Sequence, residues 1–193
     1  TSLGTTAPWQ DIKVGTYNSN DIWVTSHTDG VSVSADGNGW THTTRTAKGG
    51  LVAIGNGKIA LVNTTGSNNA GSFSNDGGAV WTDTTIGLAS TDTVTDVAGQ
   101  PNGDIMMGTV QTSSGLSASA IRSTDGGNSW GATTLPAVDN WSCIAYGGSS
   151  AGVWVALAGT VAAPSSAGAY STDGGSSWTA ITLPASSAWE KVI

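Results

Sequence analysis

Ser171-Thr-Asp-Gly-Gly-Ser-Ser-Trp178 is the stretch that decides the fold, because the chain repeats it three more times in closely similar form. The other copies are Ser123-Thr-Asp-Gly-Gly-Asn-Ser-Trp130, Ser74-Asn-Asp-Gly-Gly-Ala-Val-Trp81 and Ser34-Ala-Asp-Gly-Asn-Gly-Trp40. Their serines are 40, 49 and 48 residues apart. A repeat of this length is typical of the four-stranded blades of a β-propeller.

The residue types in these segments suit a tight turn between two strands. Asp-Gly and Gly-Gly pairs permit positive φ angles, and the Ser and Asp side chains can bond to backbone groups that the turn leaves unpaired. We expect the tryptophan to be buried against the sheet, where full burial is worth about 4 to 6 kcal/mol as an upper bound. The residues to which we assign this structural role are Ser34, Asp36, Trp40, Ser74, Asp76, Gly78, Trp81, Ser123, Asp125, Gly127, Trp130, Ser171, Asp173, Gly175 and Trp178.

Short runs of β-branched residues bounded by Gly, Asn and Ser surround each segment, and no helical period is present. The sequence predicts an all-β propeller with four complete four-stranded antiparallel blades, at residues 9–46, 49–86, 93–136 and 141–184. Residues 189–193 repeat the opening of an inner strand and predict the first strand of a further blade. Because four blades do not close a usual ring, we expect residues 1–193 to be a single propeller domain that forms part of a larger propeller. The alternative is that several copies close the ring together.

The pattern Ser-x-Asp-x-Gly-x-x-Trp resembles the Asp box, or bacterial neuraminidase repeat, of sialidase-like β-propellers. Three copies match it in full, and the copy at Ser34 has one residue fewer between Asp36 and Trp40. In that family the box lies in the turn between the third and fourth strands, on the face away from the ligand site. The resemblance therefore implies a scaffold role, and no catalytic role, for the aspartates of the four boxes.

Charge and composition exclude several function classes. Six Lys plus Arg against thirteen Asp plus Glu give a formal charge of −7, so the chain lacks the clustered cations that nucleic-acid binding needs. No apolar run is long enough for a membrane helix. The single cysteine, Cys143, excludes an internal disulfide. His27 and His42 have no partner at metal-ligand spacing, so we expect surface histidines, no metal and no cofactor.

The catalytic residues of a sialidase are not all present in this chain. Members of that family resemble one another in three arginines that bind the substrate carboxylate, a Tyr nucleophile with a Glu partner, and an Asp acid/base. This chain has only Arg45 and Arg122, and its only Glu is Glu190. We therefore expect no sialidase activity, and no catalytic residue is assigned.

Other glycoside hydrolases on propellers use two carboxylates about 5 to 10 Å apart. Asp11 and Asp96 hold matching positions on the inner strands of blades one and three. The other acidic candidates lie in or near loops: Asp29, Asp83, Asp92 and Asp139. Solvated carboxylates without a catalytic role are the simpler interpretation of all six.

Trp9, Trp141 and Trp189 are the candidate binding residues, because each begins an inner strand near the face that carries ligands in such propellers. An exposed indole can stack on a sugar, and packing between blades is the alternative role for all three. The longest loops, residues 64–70, 111–118 and 158–167, join second to third strands and project from the face opposite the boxes. They consist mostly of Ser, Thr, Gly, Asn and Ala, which suits a neutral binding or display surface.

Two functions remain open. The first is a noncatalytic structural or adhesive module that contacts glycans or other subunits, since similar propellers occur in phage tail and fibre proteins and in secreted bacterial proteins. That interpretation places the chain in a virion or another extracellular assembly. The second is a fragment of a secreted glycoside hydrolase with paired Asp residues. A third, an assembly factor similar to the photosystem-assembly propellers, is weakened by the lack of basic patches. We favour the first, and two carboxylates converging in the central cleft would favour the second.

Overall fold

The computed structural model describes residues 6–45, 50–64, 70–148, 152–189 and 191. In this part of the chain, sixteen strands form four antiparallel sheets of four strands each, and there is no helix. The described residues therefore include no helix able to cross a membrane. Each sheet is formed by four strands that are consecutive in the chain, as expected for propeller blades.

The strand bounds follow the predicted repeat. Blade one consists of β1 (Trp9–Tyr17), β2 (Asn20–His27), β3 (Gly30–Ser34) and β4 (Thr41–Thr44). Blade two consists of β5 (Gly50–Gly55), β6 (Lys58–Asn63), β7 (Ala70–Ser74) and β8 (Thr82–Thr85). Blade three consists of β9 (Thr93–Gly99), β10 (Met106–Gln111), β11 (Ser117–Ser123) and β12 (Gly131–Asp139). Blade four consists of β13 (Trp141–Gly147), β14 (Val153–Ala158), β15 (Ser165–Ser171) and β16 (Thr179–Ser187).

The first strand of each blade lies at the centre of the molecule. Strand β1 contacts β5, β5 contacts β9, and β9 contacts β13, and all four border one central cavity. The sheets are thus the blades of a β-propeller ring, which confirms the predicted all-β fold and its four blades. The predicted strand of a further blade falls mostly outside the described residues, which include only Trp189 and Lys191 of that segment.

The hydrophobic core is divided among the three junctions between neighbouring blades. Each junction has a cluster with buried residues from both blades. The clusters include Val24, Val31, Val52, Ile59 and Leu61 between blades one and two; Ala53, Ala60, Val62, Val97 and Met106 between blades two and three; and Met107, Ala120, Trp141, Ile144 and Trp154 between blades three and four. A blade is therefore stabilised mainly by the faces that it shares with its neighbours.

The tryptophans of the repeated turns are half-buried, so each reaches only part of the burial to which the upper bound applies. Trp40, Trp81, Trp130 and Trp178 each lie directly before the outermost strand of a blade, where solvent covers part of the ring. The fully buried indoles are those of Trp141 and Trp154. These two residues lie on strands close to the axis, where the adjacent blade covers them.

Candidate functional site

The three full-length turns share one hydrogen-bond pattern, which is clearest in blade four. Ser171 Oγ donates to Asp173 Oδ1 at 2.8 Å and accepts from the Gly175 N–H at 2.8 Å. Asp173 Oδ1 also accepts from the Ser177 N–H at 2.9 Å. Gly174 and Gly175 have φ angles of 69° and 80°, which glycine adopts without steric cost. Equivalent bonds recur in the turns that begin at Ser74 and Ser123.

The turn of blade one is a shorter version of the same arrangement. Ser34 Oγ accepts from the Gly37 N–H at 2.9 Å, and Asp36 Oδ1 accepts from the Gly39 N–H at 2.8 Å. Each donor lies one residue earlier than in the other turns. Trp40 nevertheless donates its indole N–H to the Gly37 carbonyl at 3.1 Å, as Trp81 does to its own turn. The loss of one residue therefore shifts the backbone N–H donors by one position, while the Ser34–Asp36 pair is kept.

The aspartates of these turns are committed to local hydrogen bonds. Bonds from the Ser177 hydroxyl and N–H hold the pKa of Asp173 well below its usual range, and N–H bonds from Gly39 and Asn38 lower the pKa of Asp36. The pKa of Asp76 is lowered in the same way. A carboxylate held in its charged form by backbone N–H groups stabilises a turn and is poorly suited to donate a proton.

A cavity of about 440 Å³ occupies the centre of the ring. Lys13 of β1 and Asp96 of β9 are its charged strand residues, and Lys191 also borders it. Tyr146 adds an aromatic ring from β13. The other side chains that line the cavity are aliphatic: Ile12, Val14, Val52, Ala53, Ile54, Val97, Ala98, Ile144 and Ala145. This cavity is the place where carboxylates would have to meet for glycoside hydrolysis.

The inner-strand carboxylates Asp11 and Asp96 connect neighbouring blades. Asp11 Oδ2 accepts from the N–H of Val52 in blade two at 2.9 Å, and Asp96 Oδ2 accepts from the N–H of Ile144 in blade four at 3.0 Å. The other oxygen of each carboxylate accepts from the N–H of the next residue in its own strand. We call each of these arrangements a carboxylate clasp. Both oxygens of both side chains are therefore occupied by backbone donors.

Electrostatics distinguishes Asp96 from the aspartates of the turns. Burial raises the pKa of Asp96, while the Ile144 N–H and the charge of Lys13 act in the opposite direction. The negative charge of Asp11 adds to the increase, so the two carboxylates are near enough to influence each other. Asp11 also lies 3.9 Å from the Lys13 ammonium group.

The remaining acidic candidates lie outside the central cavity. Asp29 lies 3.6 Å from His42, Asp83 forms an ion pair with Arg45, and Asp139 accepts from Ser165 at 2.9 Å. Asp92 donates its N–H to the Ala89 carbonyl in a turn. Among the described candidates, Asp96 borders the central cavity and Asp11 acts on it through its charge.

The three candidate binding tryptophans have different environments. The Trp9 side chain is 49% exposed, whereas Trp141 is fully buried and donates its indole N–H to the Ala137 carbonyl at 3.1 Å. Trp189 is half-buried and donates to the Ser165 carbonyl at 3.0 Å. Only the ring of Trp9 has a large accessible face, so stacking on a ligand stays a prediction for Trp9.

His27 is fully buried, so the expectation of a surface histidine was wrong for this residue. Its ring packs edge-on against Trp9 and His42, with centroid distances of 5.1 and 5.5 Å. Ser32 Oγ lies 3.0 Å from His27 Nε2 and 3.1 Å from His42 Nδ1. Burial, together with the nearby His42, lowers the pKa of His27. No group of three or more potential metal ligands occurs among the described residues.

Both arginines contact the neighbouring blade near its turn. Arg45 follows β4 and pairs with Asp83 of blade two, and Arg122 donates through Nε to the Gly174 carbonyl of blade four at 2.5 Å. Each guanidinium therefore links two neighbouring blades, and both links lie outside the central cavity. This placement gives neither arginine a role in binding a substrate carboxylate at the ring centre.

Hydroxyl groups form hydrogen bonds across the blade junctions, and the sequence pattern did not indicate this role. Thr95 donates to the Trp141 carbonyl at 2.9 Å, and Ser142 donates to the Trp189 carbonyl at 2.7 Å. Ser26 makes the corresponding bond to Gly50. Thr95 and Ser142 each follow the first core position of an inner strand, and this shared position is the signal that could have found them.

Three exposed aliphatic side chains lie at the end of the strands opposite the turns. Leu116 follows β10, Val138 lies at the end of β12, and Val161 follows β14. The pairing of Trp141 with Ala158 and the bond from Gln111 to the Trp141 carbonyl bring these segments to one edge. We call this surface the loop face and define it by Leu116, Val138 and Val161.

Both described loops on the loop face are held by internal hydrogen bonds. Thr112 Oγ1 donates to the Leu116 carbonyl at 2.6 Å, and the Gly115 N–H donates to the Thr112 carbonyl at 2.9 Å. Thr160 and Ala163 exchange two backbone bonds around Val161. These bonds order the loops before any partner arrives, which lowers the entropic cost of binding. Residues 65–69 of the third loop lie outside the described residues.

No protein-family model and no curated protein sequence matches this chain. Solved propeller structures do match its fold. YCF48 bound to a D1 peptide is 17% identical with a TM-score of 0.57, covering 96% of this chain and 56% of that one. An inactive variant of virginiamycin B lyase from Staphylococcus aureus, solved with quinupristin, is 15% identical with a TM-score of 0.67, covering 95% and 58%. The Hadza microbial sialidase Hz136 is 15% identical with a TM-score of 0.59, covering 95% and 48%.

This chain therefore spans about half of each of those three structures. Their functions differ widely, and identities below one fifth support a common fold and no common chemistry. The comparison agrees with the sequence pattern in showing a β-propeller of the general kind that sialidases use.

Proposed function

We propose that the chain is a noncatalytic structural or adhesive propeller module that belongs to an extracellular assembly such as a virion tail or fibre. The observation that carries this proposal is the use of Asp11 and Asp96 as carboxylate clasps. Each carboxylate accepts backbone N–H bonds at both oxygens, so neither has an oxygen left without a backbone donor for acid/base work. The extracellular placement rests on the composition, which is rich in Ser, Thr and Gly and poor in cations.

The loop face is the surface that we assign to adhesion. Leu116, Val138 and Val161 are exposed there among Ser, Thr and Gly residues, and the chain carries few charges. Exposed aliphatic groups beside hydroxyls suit an uncharged partner, which offers apolar contact area and hydrogen-bonding groups. We expect neutral glycans or the uncharged surface of another subunit as partners, and no nucleic acid.

Binding to an array of neutral and acidic glycans tests the adhesive role. We expect the wild-type chain to bind neutral glycans and the double variant Leu116→Asp/Val161→Asp to bind at least fivefold more weakly, since about 1 to 2 kcal/mol corresponds to that change. Val80→Asp is the matched control, because Val80 is an exposed valine in the turn of blade two. Equal loss in the control, or no binding by the wild type, would contradict glycan adhesion through the loop face.

A glycoside hydrolase is the second candidate, and the environment of Asp96 is the observation that favours it. The pKa of Asp96 is raised by burial, as a general acid requires, and the negative charge of Asp11 adds to the increase, which makes Asp11 the candidate for the second carboxylate. Release of reducing sugar from polysaccharides is the test. Activity that disappears in Asp96→Asn while the fold is retained would support the hydrolase over the noncatalytic module.

A further inference from the structure

The position directly before the serine of each repeated turn carries an arginine in blade three and an apolar or aromatic side chain in the other blades. Strand pairing makes these four positions equivalent, because each residue lies opposite the one that follows the turn tryptophan. The four residues are Val33, Phe73, Arg122 and Tyr170. The junction of blades three and four therefore has a positive charge where the other blades have none.

The stem of Arg122 packs as its counterparts do. In the junction of blades one and two, a Cβ at Gly78 would meet the Val33 side chain at 2.7 Å. A Cβ at Gly175 would likewise lie 3.5 Å from Arg122 Cδ. The aliphatic part of Arg122 thus covers the next turn, and the head group lies beyond it, as is usual for long charged side chains.

The guanidinium group of Arg122 is oriented by one hydrogen bond and has no carboxylate partner. Its Nε donates to the Gly174 carbonyl at 2.5 Å. Among the residues that the structure describes, no ion pair includes Arg122, whereas carboxylates pair with Lys13, Arg45 and Lys58. The two Nη groups therefore form a planar fork of the shape that matches the two oxygens of a carboxylate.

The aspartates of the two adjoining turns do not neutralise this charge. Asp125 Oδ1 accepts from the Ser129 N–H at 2.9 Å, and Asp125 Oδ2 accepts from the Ser129 hydroxyl at 2.6 Å. Asp173 makes the same two bonds with Ser177, at 2.9 and 2.6 Å. Each carboxylate is thus held inside its own turn.

Arg122 borders a cavity of about 300 Å³ between blades three and four, on the face of the ring that carries the turns. We call this cavity the junction pocket. It is lined by Arg122, Gly131, Ala132, Thr133, Gly175 and Ser176. The hydroxyl group of Ser176 donates to the Asp173 carbonyl at 3.1 Å, so its oxygen is left to accept a hydrogen bond from a ligand.

Thr133 occupies the acceptor that the turn tryptophan uses in the other blades. Trp81 and Trp130 donate their indole N–H groups to the carbonyl of a turn glycine, at 2.9 and 3.0 Å. In blade four the corresponding carbonyl, that of Gly175, accepts from the Thr133 hydroxyl at 2.9 Å. The buried indole N–H of Trp178 has no partner within the described part of the chain. A buried donor without an acceptor is unusual in a folded protein.

Donors and an acceptor in one pocket indicate the class of ligand. A guanidinium group binds a carboxylate, sulfate or phosphate through parallel hydrogen bonds. A sulfate ion has no hydroxyl group to donate to Ser176, whereas a sugar carboxylate has both an anionic group and hydroxyl groups. A uronic acid therefore matches the wall of the junction pocket better than an inorganic anion does.

We propose that the junction pocket binds a uronic acid residue of an acidic glycan. The Nη groups of Arg122 donate to the carboxylate, and Thr133 turns its hydroxyl group from the Gly175 carbonyl to the same carboxylate. Trp178 then donates to the freed carbonyl, as its counterparts do, and Ser176 accepts from a sugar hydroxyl. This site goes beyond the adhesion proposed for the loop face, because it lies at the turns and takes an anionic ligand.

Titration of the full chain with glucuronate tests the site, with nuclear magnetic resonance of the tryptophan indole N–H groups as the readout. We expect the Trp178 resonance to shift saturably. Arg122→Met keeps an unbranched stem and should bind about tenfold more weakly, because a charge-assisted pair is lost. Arg45→Met is the matched control and should bind as the wild type does, since Arg45 also links two blades and pairs with Asp83. No binding by the wild type, or equal loss in the control, would overturn the proposal.

Thr133→Val separates ligand binding from packing at the junction. Valine has the shape of threonine without the hydroxyl group, so Trp178 should bond to the Gly175 carbonyl before any ligand is added. Its resonance should therefore be shifted in the free variant, and glucuronate should bind more weakly and leave that resonance in place. A Trp178 resonance that is the same in the free variant and the free wild type would overturn the exchange of donors and with it the proposed mode of binding.

Two further probes define the ligand. Glucuronamide, which has an amide in place of the carboxylate, and sulfate should each bind about tenfold more weakly than glucuronate, because each lacks one of the two matched groups. Equal binding of sulfate would show a general anion site and would overturn the assignment to a uronic acid. Leu116→Asp/Val161→Asp should retain glucuronate binding, so that failure of the loop face and failure of the junction pocket are distinguishable.

Discussion

Single side chains hold each repeated turn in shape, and their protonation states link stability to pH. In the turn of blade four, Asp173 accepts from the Ser171 hydroxyl at 2.8 Å and from the Ser177 N–H at 2.9 Å. Hydrogen bonds of this kind lower the pKa of the aspartates in all four turns. A lowered pKa contributes stability above the unfolded value, and this contribution is lost as pH falls through the folded value.

We therefore expect the folded protein to lose stability below about pH 4, where aspartate in the unfolded chain takes up protons. Thermal unfolding across the acidic range measures this loss. Asp173→Asn should show a smaller loss than the wild type between neutral and acidic pH, since one titrating group is removed. An identical pH profile for both proteins would contradict the role of Asp173 in its turn.

The tryptophan of each turn contributes less to the free energy of unfolding than a fully buried indole would, because only part of its surface is covered. Trp130 is half-buried against the cluster between blades two and three, and its indole N–H donates to the Gly127 carbonyl at 3.0 Å. We expect Trp130→Ala to lower the free energy of unfolding by about 1 to 3 kcal/mol. Urea unfolding checks the value, and Trp130→Phe, which keeps most of the ring area, should cost less. A free energy equal to that of the wild type would rule out a packing role.

We expect His27 to cause a second pH dependence of stability, at higher pH than the one caused by the turn aspartates. Its pKa is lowered by burial and by His42, so the unfolded chain takes up a proton before the folded one. Stability should therefore fall as pH drops below about 6.5, the ordinary value for histidine. His27→Gln should remove the loss between pH 7 and about 5 while the acidic loss of the turns remains. Unfolding temperatures at each pH measure both, and a His27→Gln profile parallel to the wild type would contradict this assignment.

The inner strand β9 is attached to the next blade by a carboxylate clasp and by a hydrogen bond from a hydroxyl group. Asp96 and Thr95, adjacent in β9, bond respectively to the Ile144 N–H at 3.0 Å and the Trp141 carbonyl at 2.9 Å of β13. Asp11 in β1 makes the corresponding clasp to Val52. The clasps thus satisfy N–H groups at the centre of the ring that the strands themselves leave without partners.

Asp96→Ala removes the acceptor of the Ile144 N–H, and we expect it to cost about 1 to 3 kcal/mol because a buried donor is left unpaired. Asp96→Asn keeps an acceptor oxygen and should cost less. Denaturant unfolding of both variants measures the difference. Equal stability of Asp96→Ala and the wild type would show that the clasp does not hold blades three and four together.

For the whole molecule, the pattern of clasps divides four blades into two pairs. The junctions of blades one and two and of blades three and four each contain a clasp, and the junction of blades two and three has an apolar cluster and an ion pair between Lys58 and Asp104. Because these charges are partly exposed, the pair adds little stability. The middle junction should therefore open first.

Native-state hydrogen exchange at increasing denaturant tests this division. We expect the amides of β5 and β9 that face the middle junction to lose protection before those of the clasped junctions, because sub-global opening follows the weakest contacts. Exchange of all four blades in one step would show that the ring opens as a single unit.

The number of blades and the position of each turn could be predicted from the sequence. The reason is that the interactions of the turn are local: Ser171, Asp173 and Gly175 bond within a few residues of one another, so the pattern that encodes them is contiguous. The runs of β-branched residues bounded by Gly, Asn and Ser likewise predicted strands β5 and β13 at their observed positions. These features depend on near neighbours in the chain.

The environment and role of each side chain depended on which blade lies beside it. Trp9 and Trp141 begin equivalent strands, yet one is half-exposed and the other is fully buried, because residues of blade three pack against Trp141 and no described blade packs against Trp9. Asp11 and Asp96 were recognised as a pair, but their bonds reach across 41 and 48 residues to another sheet. The sequence by itself determined the blades and their turns, whose interactions are local, whereas only the tertiary structure decided how the blades meet, because those contacts join residues that are distant in the chain.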